Sequence, residues 1–506
     1  MRDREVSYQI RRELVSRRKA NQNLKLIFRS INKSPSFVKQ IGSRKYQFSI
    51  KEMHDIDSKF SIIMTSLDQL EIFHLLLTLV QTSASQLIHF QLYEKSVIHL
   101  IKLTEYGLMS HFEIVQLLHY IGMMKQGGGA YVRCIEPLLP NFNQITLMDK
   151  AVIALAYFKT HSELPEYQLK SLEDALENES EILANNHFLL VTLCKAVGLY
   201  GSSADMTLKN LSNTIIQRKD EMDFRTSTHV LGVYAGNLIL EKEALEYLIT
   251  DGMKKVAKDE RLCSLRLKDV NRYFWARSCL YWTLTEEEKQ LSTVYLNNRY
   301  KELSNKENLE YLVRILVSLF ILQCTNLEPI IKRSIDEGVF NSIFQDMYDW
   351  KLKTEFQLLM NIVKLKTYII EPHQYQDKIQ LNFTPSENLI TIEKIGSQLA
   401  EQGLIKKAFI QCPVDSLMLP GLTVVTEKGS IHIDVLDRST CMKNSLTPHG
   451  RMQLKLQLVR HLGYQHVFID GNTLSSSKVA ESALVKSIKE ILVEKEGLSS
   501  VDVQEP

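Results

Sequence analysis

Residues that build disulfide frameworks, zinc sites and all-β folds are scarce in this chain. Its 506 residues include seven cysteines, an odd number, and none of them form a Cys-x-x-Cys pair. We therefore expect a reduced protein with neither a disulfide framework nor a zinc site. Only 20 glycines and 11 prolines are present, while hydrophobic residues make up 44% of the chain. This composition leaves little room for disorder or for an all-β fold, and the length predicts about two to four domains.

Long apolar runs and known catalytic motifs are also missing. The longest apolar run, from Tyr311 to Cys324, contains Arg314 and is too short to cross a bilayer. We therefore expect a soluble intracellular protein with no membrane insertion. The glycines 127–129 are not followed by Gly-Lys-Ser or Gly-Lys-Thr, so they predict a turn and not a phosphate-binding loop. Since no nucleophile elbow or kinase loop is present either, we expect no enzyme and no cofactor.

Positive charge is concentrated at the start of the chain, although the net charge of the whole is only +2. Residues 1–50 hold 13 Lys and Arg against 3 acidic residues, whereas residues 51–506 hold 48 against 56. Apolar residues four apart within this basic arm predict an amphipathic helix. Three interpretations remain open: a mitochondrial targeting segment, an arm that binds RNA phosphates and a plain solvated helix. The candidate phosphate contacts in the arm are Arg11, Arg12, Arg17, Arg18 and Lys19.

Helical hairpins recur through residues 51–256. Leu169 and Leu172 are repeated as Leu208 and Leu211, 39 residues later, in segments that share the same apolar spacing. A period of this length with two helices in each unit is typical of an α-solenoid, and a bundle of unrelated helices is the alternative. Residues 257–405 are also predicted to be helical, with a less regular spacing.

The last part of the chain changes from helical periodicity to strand periodicity. Apolar and polar residues alternate in two neighbouring runs, which predicts two strands joined by a tight turn. A helix with leucines at 454, 458 and 462 follows, and Gly463 stands where a C-terminal cap belongs. In chain order the predicted strands and helices lie at 421–427, 430–437, 450–462, 464–470 and about 478–493.

The order of residues in this segment resembles the RAP domain, a C-terminal module of organellar RNA-binding proteins. The resemblance lies in the acidic strand 431–436, the Leu-Thr-Pro loop at 446–448, and Leu-Gly-Tyr at 462–464 before the apolar strand 467–469. It covers roughly residues 420–495. It implies a restriction-endonuclease-like α+β fold, and the hairpins before it resemble the degenerate helical repeats that precede RAP domains in organellar proteins.

These observations predict a mostly α chain, an α-solenoid followed by a small C-terminal α+β RAP domain. The predicted segments are a basic arm (1–50), a repeat array (51–256), a further helical region (257–405), a linker (406–420), the RAP domain (421–495) and a tail (496–506).

Nuclease chemistry is an alternative that the restriction-endonuclease-like fold raises. Such chemistry needs two or three carboxylates around a metal, with a lysine near the attacking water. His432 and Asp434 share one face of a strand, but no Asp/Glu-x-Lys follows on a neighbouring strand, and Lys455 is predicted to lie on a helix. We therefore interpret Asp434 as a structural acid and expect neither catalytic residues nor metal ligands.

The resemblance and the charge pattern together predict a mitochondrial RNA-binding protein, with a plastid as the alternative location. Two functions stay open: processing, stability or translation of organellar transcripts, and a structural place in the mitochondrial ribosome beside rRNA and ribosomal proteins. DNA is not expected as a partner.

The predicted RNA contacts in the C-terminal module are Arg451 and Lys455 on one helix face, Arg460, and Tyr464, which either stacks on a base or packs in the core. The aromatic residues at 273–275 and 281–282 are predicted to be core, with base stacking as the alternative.

Overall fold

We analysed a computed structural model of the chain. The structure describes residues 49–64, 67–83, 86–139, 141–179, 183, 186–200, 204–217, 222–259, 264–341, 343, 350–366, 384–427, 429–474, 482 and 484–486. Residues 1–48 of the basic arm, with Arg11, Arg12, Arg17, Arg18 and Lys19, lie outside these residues, and so does most of the helix predicted at 478–493.

The described chain is mostly helical and ends in a small four-stranded mixed sheet, as the sequence predicts at this coarse level. It divides into two compact units, residues 1–214 and residues 215–506. None of the described helices is both long enough and apolar enough to span a lipid bilayer.

The first unit is built from helices whose starts are fixed by local hydrogen bonds. Ser49 and Glu52 form a capping box, as do Ser110 and Glu113, so exposed backbone N–H groups of the first turn are paired. Alternate helices pack side by side: α4 (His111–Met123) contacts α6 (Leu147–Thr160), which contacts α8 (His187–Tyr200). The helices are α1 (Ile50–Ile63), α2 (Gln69–Ser83), α3 (Gln91–Glu105), α4 (His111–Met123), α5 (Gly129–Ile135), α6 (Leu147–Thr160), α7 (Glu166–Asn178), α8 (His187–Tyr200) and, reaching into the second unit, α9 (Ala204–Gln217).

The second unit continues with a row of alternate helices. The helices α10 (224–237), α12 (267–279), α14 (309–321) and α16 (350–366) pack in that order. In the same way α11 (242–259) packs against α13 (286–303), which packs against α15 (328–336). This places even-numbered and odd-numbered helices in separate rows. The helices are α10 (Phe224–Asn237), α11 (Lys242–Asp259), α12 (Leu267–Cys279), α13 (Glu286–Leu303), α14 (Leu309–Ile321), α15 (Glu328–Asp336), α16 (Trp350–Lys366) and α17 (Glu387–Glu401).

Two buried arginines join neighbouring helices in this unit. Arg277 donates to the Tyr273 hydroxyl four residues earlier and pairs with Glu288 at 2.7 Å. Arg299 repeats the arrangement with the Tyr295 hydroxyl, again four residues earlier. Each guanidinium also donates to backbone carbonyl oxygens, so these buried charges are fully bonded.

The sheet contains one strand more than the sequence analysis predicts. Its strands are β1 (Lys407–Gln411), β2 (Gly421–Thr426), β3 (Gly429–Leu436) and β4 (Gln465–Asp470), in the order β1-β2-β3-β4. The first three are antiparallel, and β4 is parallel to β3 after a crossover through α18 (Gly450–His461). The predicted linker at 406–420 is therefore wrong, because its residues 407–411 form the edge strand β1.

Helix α17 covers one face of the sheet. Its Leu389, Ile392, Ile395 and Leu399 follow helical spacing and pack with the inward-facing residues of β2, β3 and β4. Gly396 permits the close approach to β1, since a Cβ atom there would lie 2.7 Å from Cβ of Ala408. Helix α17 is thus part of the C-terminal module, so the boundary predicted at residue 421 falls too late in the chain.

Helix α18 packs against β4 and also against α12, α14 and α16. A Cβ atom on Gly450 would lie 1.7 Å from the carbonyl oxygen of Ser278, so the first turn of α18 touches the backbone at the end of α12. Arg451 donates to Glu355 on α16 at 2.6 Å. The loop before α18 adds a contact, in which Lys443 N–H donates to the carbonyl of Leu238 at 2.8 Å. The module and the helical row therefore form one packed body within the second unit.

We predict that Gly450→Ala destabilises the second unit by about 1–3 kcal/mol, because the added methyl group meets backbone atoms that cannot rotate away. Gly236→Ala is the matched control, since a Cβ atom at Gly236 meets nothing within 4 Å. The measurement is unfolding by a chemical denaturant, monitored by circular dichroism. Equal stability of the two variants would contradict the tight contact between α18 and α12.

Candidate functional site

The face of the sheet opposite α17 carries polar side chains on three neighbouring strands. Alternation places His432 and Asp434 of β3 on this face while Ile431 and Ile433 point to α17. The register pairs Thr423 of β2 with His432, and His432 with His466 of β4. Helix α18 closes over this face, so the polar groups are buried together.

Asp434 is the centre of this buried polar cluster. Lys455 of α18 donates a short hydrogen bond to its Oδ1 atom, and His466 Nε2 lies 2.7 Å from its Oδ2 atom. The side chains of Asp434 and Lys455 are each 1% exposed. The carboxylate therefore joins β3, β4 and α18 without access to solvent.

A second set of hydrogen bonds surrounds His432. Its Nδ1 atom lies 3.0 Å from the Thr423 hydroxyl, which accepts a hydrogen bond from Gln411 of β1. Gln411 also donates to the Tyr464 hydroxyl at 3.1 Å. The remaining atom, Nε2 of His432, lies 3.6 Å from Asp434, which is too far for a hydrogen bond. It has no hydrogen-bond partner in the part of the chain that the structure describes.

Burial and charge act in opposite directions on the ionisable groups of the cluster. Burial alone would raise the pKa of Asp434, but the imidazoles of His432 and His466 and the charge of Lys455 hold that pKa well below its ordinary value. Burial lowers the pKa of Lys455, although Asp434 counteracts this effect. Because Nζ donates directly to the carboxylate, we describe the two groups as a charged pair. Burial also lowers the pKa of His432, which favours its neutral form.

Both carboxylate oxygens of Asp434 are thus bonded inside the protein, and its interpretation as a structural acid stays a prediction. Within the described ranges no three His, Cys, Asp or Glu side chains are placed to hold a metal ion. Lys455 contacts one carboxylate oxygen of Asp434 and His466 contacts the other. The prediction that Lys455 shares an RNA-facing side of the helix with Arg451 is therefore wrong, because its side chain is inside the protein and ion-paired.

A separate groove of about 700 Å³ crosses the helical row of the second unit. It is formed by α10, α12, α14 and α16, and the start of α18 closes one side of it. Its basic lining residues are Lys268, Arg272, Arg314 and Arg451, and its acidic ones are Glu310 and Glu355. The lining thus carries four cationic and two anionic side chains.

One face of α12 supplies the central part of the groove. Lys268, Asn271, Arg272 and Trp275 follow the spacing i, i+3, i+4 and i+7, which puts all four side chains on one side of the helix. The Trp275 side chain is 38% exposed, whereas the neighbouring Tyr273 and Phe274 are buried. The predicted aromatic core is therefore confirmed for Tyr273 and Phe274, while Trp275 lies at the surface.

The cations of the groove differ in how they are paired. Arg272 lies 3.0 Å from both Asp269 and His229, which hold its guanidinium in place. Arg314 pairs with Glu310, and Arg451 pairs with Glu355. Lys268 is exposed and has no ion-pair partner among the described residues. Burial and the neighbouring guanidinium groups of Arg272 and Arg266 lower the pKa of Lys268. Among the described residues it is nonetheless the one basic side chain of the lining without an ion pair to a carboxylate.

The remaining predicted site residues are spread over the C-terminal module. Arg451 lines the groove, Arg460 is exposed near the end of α18, and Tyr464 is half-buried against His432 and Gln411. Lys268, Asn271 and Arg272 line the groove but are not among the site residues predicted from sequence. Their helical spacing around Trp275 was the available signal, since it predicts one shared face.

Comparisons with known proteins give no identification: no protein-family model matches this chain, and no match is found among curated proteins.

We predict that Lys455→Met destabilises the second unit by about 3–5 kcal/mol, because it leaves Asp434 charged, buried and without its cation. The double variant Asp434→Asn with Lys455→Met removes both charges and should recover a large part of this loss. Urea unfolding of the wild type and both variants measures the difference. A double variant less stable than Lys455→Met would show that the ion pair is not what couples the two positions.

A fall in pH from about 7.5 to 5.5 should also weaken the module. Burial lowers the pKa of His432 and of His449, the residue that caps α18. The two neutral histidines contribute fully to the free energy of unfolding above the ordinary histidine pKa of about 6.5. This contribution is lost as the pH falls toward their lowered pKa values in the folded protein, by at most about 1.4 kcal/mol per pH unit for each histidine.

Asp434 does not change the free energy of unfolding between about pH 7.5 and 5.5, because its lowered pKa keeps it charged in the folded protein. The stability that it contributes is lost only below the ordinary aspartate pKa of about 4. The measurement is urea unfolding at both pH values, with His449→Asn as a variant that keeps a capping side chain. We expect a smaller pH dependence in that variant, and an unchanged one would contradict the assignment to His449.

Proposed function

We propose that this chain is an RNA-binding protein in which an α-solenoid, followed by a RAP-type module, presents a groove to single-stranded RNA. The observation that carries the proposal is the groove of the second unit, where incompletely neutralised cations lie beside the exposed indole of Trp275. The packing of alternate helices in separate rows supports the repeat architecture. The sheet with its parallel β3–β4 pair supports the module.

Single-stranded RNA needs the two kinds of side chain that the groove combines. Its phosphates are bound by Lys and Arg, and its unpaired bases stack on aromatic rings. Lys268 and Arg272 are suited to phosphates, and Trp275 offers a ring between them and the end of α12. A volume of about 700 Å³ lies within the usual range of ligand-binding clefts in proteins.

The first turn of α18 is also suited to binding RNA phosphates. Its capping residue His449 and its Arg451 both line the groove, and the N-terminus of a helix carries partial positive charge. Both parts of the second unit therefore contribute to one surface. This geometry gives a physical reason for joining a helical row to the C-terminal module, because either part alone would present an incomplete groove.

The organellar setting belongs to the proposal and rests on the basic arm and on the resemblance to RAP-domain proteins. We propose a mitochondrial protein that acts on organellar transcripts or on rRNA. Crosslinking of the native protein to RNA, followed by sequencing, separates these roles. Reads confined to rRNA indicate a ribosomal component, and reads on a few transcripts indicate a processing or stability factor.

Lys268→Ala should weaken binding of a single-stranded oligouridylate and reduce the slope of log affinity against log salt by about 0.7, since one phosphate contact is lost. Lys301→Ala is the charge-matched control, because Lys301 is exposed on α13 and does not line the groove. Fluorescence anisotropy across a salt series gives both quantities.

A second pair of variants tests the groove without altering its cations. Gly236→Glu adds a negative side chain where the groove is open, whereas Gly236→Ala adds only a methyl group. The proposal requires that Gly236→Glu bind RNA much more weakly than Gly236→Ala. Equal affinity in these two variants, together with equal affinity in the two lysine variants, would reject the groove as the RNA site.

A further inference from the structure

Large apolar side chains are exposed around the turn that joins α3 to α4 in the first unit. Tyr106 is 75% exposed and Leu108 is 63% exposed, and Ile98 and Phe112 are exposed as well. A single exposed apolar residue is ordinary on a protein surface, whereas several close together mark a surface that contacts another molecule. Three of these residues fall within the segment 106–112, so they form one patch at the turn.

The backbone of the turn holds Leu108 in its exposed position. Gly107 has a φ of 66°, and the N–H of Leu108 donates to the carbonyl of Leu103 at 3.0 Å, which is the Schellman cap at the end of α3. In such a cap the apolar residue after the glycine commonly packs back on its own helix. Leu108 instead remains largely exposed, although the cap fixes its backbone.

Charged residues lie on the same side of α3 as the apolar ones. Glu94, Ile98, Lys102 and Tyr106 are all exposed and follow one another at intervals of four residues, so they form one stripe along the helix, which we call the α3 stripe. Its carboxylate and its ammonium group stand one helical turn on either side of Ile98. Glu94 accepts a hydrogen bond from the hydroxyl of Tyr131, and Lys102 has no ion-pair partner among the described residues.

We infer that the α3 stripe is the contact through which two copies of this chain form a two-fold dimer. In such a dimer both copies use the same surface, so that surface must be complementary to itself. Two antiparallel α3 helices that cross at Ile98 bring Glu94 of each copy opposite Lys102 of the other. Ile98 then packs on its own counterpart at the two-fold axis. This inference is independent of the proposed RNA function.

The apolar residues of the turn extend this contact beyond the two ion pairs. Tyr106 lies two further turns along α3, about 12 Å of helix from Ile98, so it reaches the start of the other α3 helix. Leu108 and Phe112 stand beside Tyr106 at the turn. Association removes apolar surface of these residues from water in both copies, which is the main favourable contribution to protein association.

The charge of the patch disfavours RNA as its occupant. The exposed charged residues of α3 are Glu94, Lys102 and Glu105, which are one cation and two carboxylates. Such a surface has no excess of positive charge to bind phosphates. A second copy of the chain requires opposite charges at matching distances from the axis, and Glu94 and Lys102 provide them.

The first test reverses one charge of the stripe in each of two variants, Lys102→Glu and Glu94→Lys. Sedimentation velocity of nuclease-treated protein from about 1 to 100 μM covers micromolar dissociation constants. Wild type should dimerise in this range. Each variant alone should self-associate about 10-fold or more weakly, because it places like charges opposite each other twice. An equal mixture of the two variants should dimerise again, because each charge then meets its opposite.

A cysteine crosslink tests the position of the axis by a separate route. Ile98→Cys, made together with Cys134→Ser to remove an exposed native thiol, places two thiols at the axis, so mild oxidation should give a covalent dimer. Tyr167→Cys with the same Cys134→Ser change is the matched control, because Tyr167 is also exposed but lies on α7. Circular dichroism checks that every variant keeps the fold, which we expect because these side chains are exposed.

Three outcomes would overturn the inference. A nuclease-treated wild type that stays monomeric leaves the patch to another occupant, such as the basic arm of the same chain. A dimer that both charge variants form as readily as wild type uses a different surface. A crosslink at residue 98 that forms no faster than the one at residue 167 places Ile98 away from the axis. Restored association in the mixture, together with the faster crosslink at residue 98, supports the dimer.

Discussion

The buried pair of Asp434 and Lys455 determines how the C-terminal module is assembled. An uncompensated charge in the interior is so unfavourable that α18 can rest on the sheet only in the rotation that brings Lys455 to Asp434. The same rotation turns Gly450 toward the end of α12 and Arg451 toward Glu355. The ion pair between Asp434 and Lys455 therefore also determines where the first turn of α18 lies against the helical row.

The groove inherits its geometry from this arrangement. Its floor is a face of α12, held by buried partners such as Asp269 and His229, and one side is the first turn of α18. Arg272 is held by Asp269 and His229, and Arg451 by Glu355, so these two guanidinium groups are positioned by the protein itself. Preorganised sites lose less entropy when they bind, which raises affinity without new contacts.

Much of the architecture follows from periodicity, and the failures have physical reasons. The helices and the strands β2, β3 and β4 were predictable because apolar spacing alone reports them. The strand β1 is not predicted from sequence, because the segment Lys407–Gln411 is short and has no clear alternation of its own. It becomes a strand by pairing with β2. The sequence predicts Lys455 in solvent because lysine is rarely buried without a partner. Its partner Asp434 lies on another element, and no local pattern reports such a distant pair.

The parallel pairing of β3 with β4 has a consequence for how the module folds. Parallel neighbours cannot be joined by a tight turn, so β4 reaches β3 only after α18 has crossed the sheet. During synthesis β1, β2 and β3 leave the ribosome first and expose the open edge of β3, with Asp434 still lacking its cation. Non-local pairing of this kind is slow and leaves strand edges vulnerable to aggregation. The helical row lies earlier in the chain and contacts α18 through α12, α14 and α16, so its helices are already synthesised when α18 packs on the sheet.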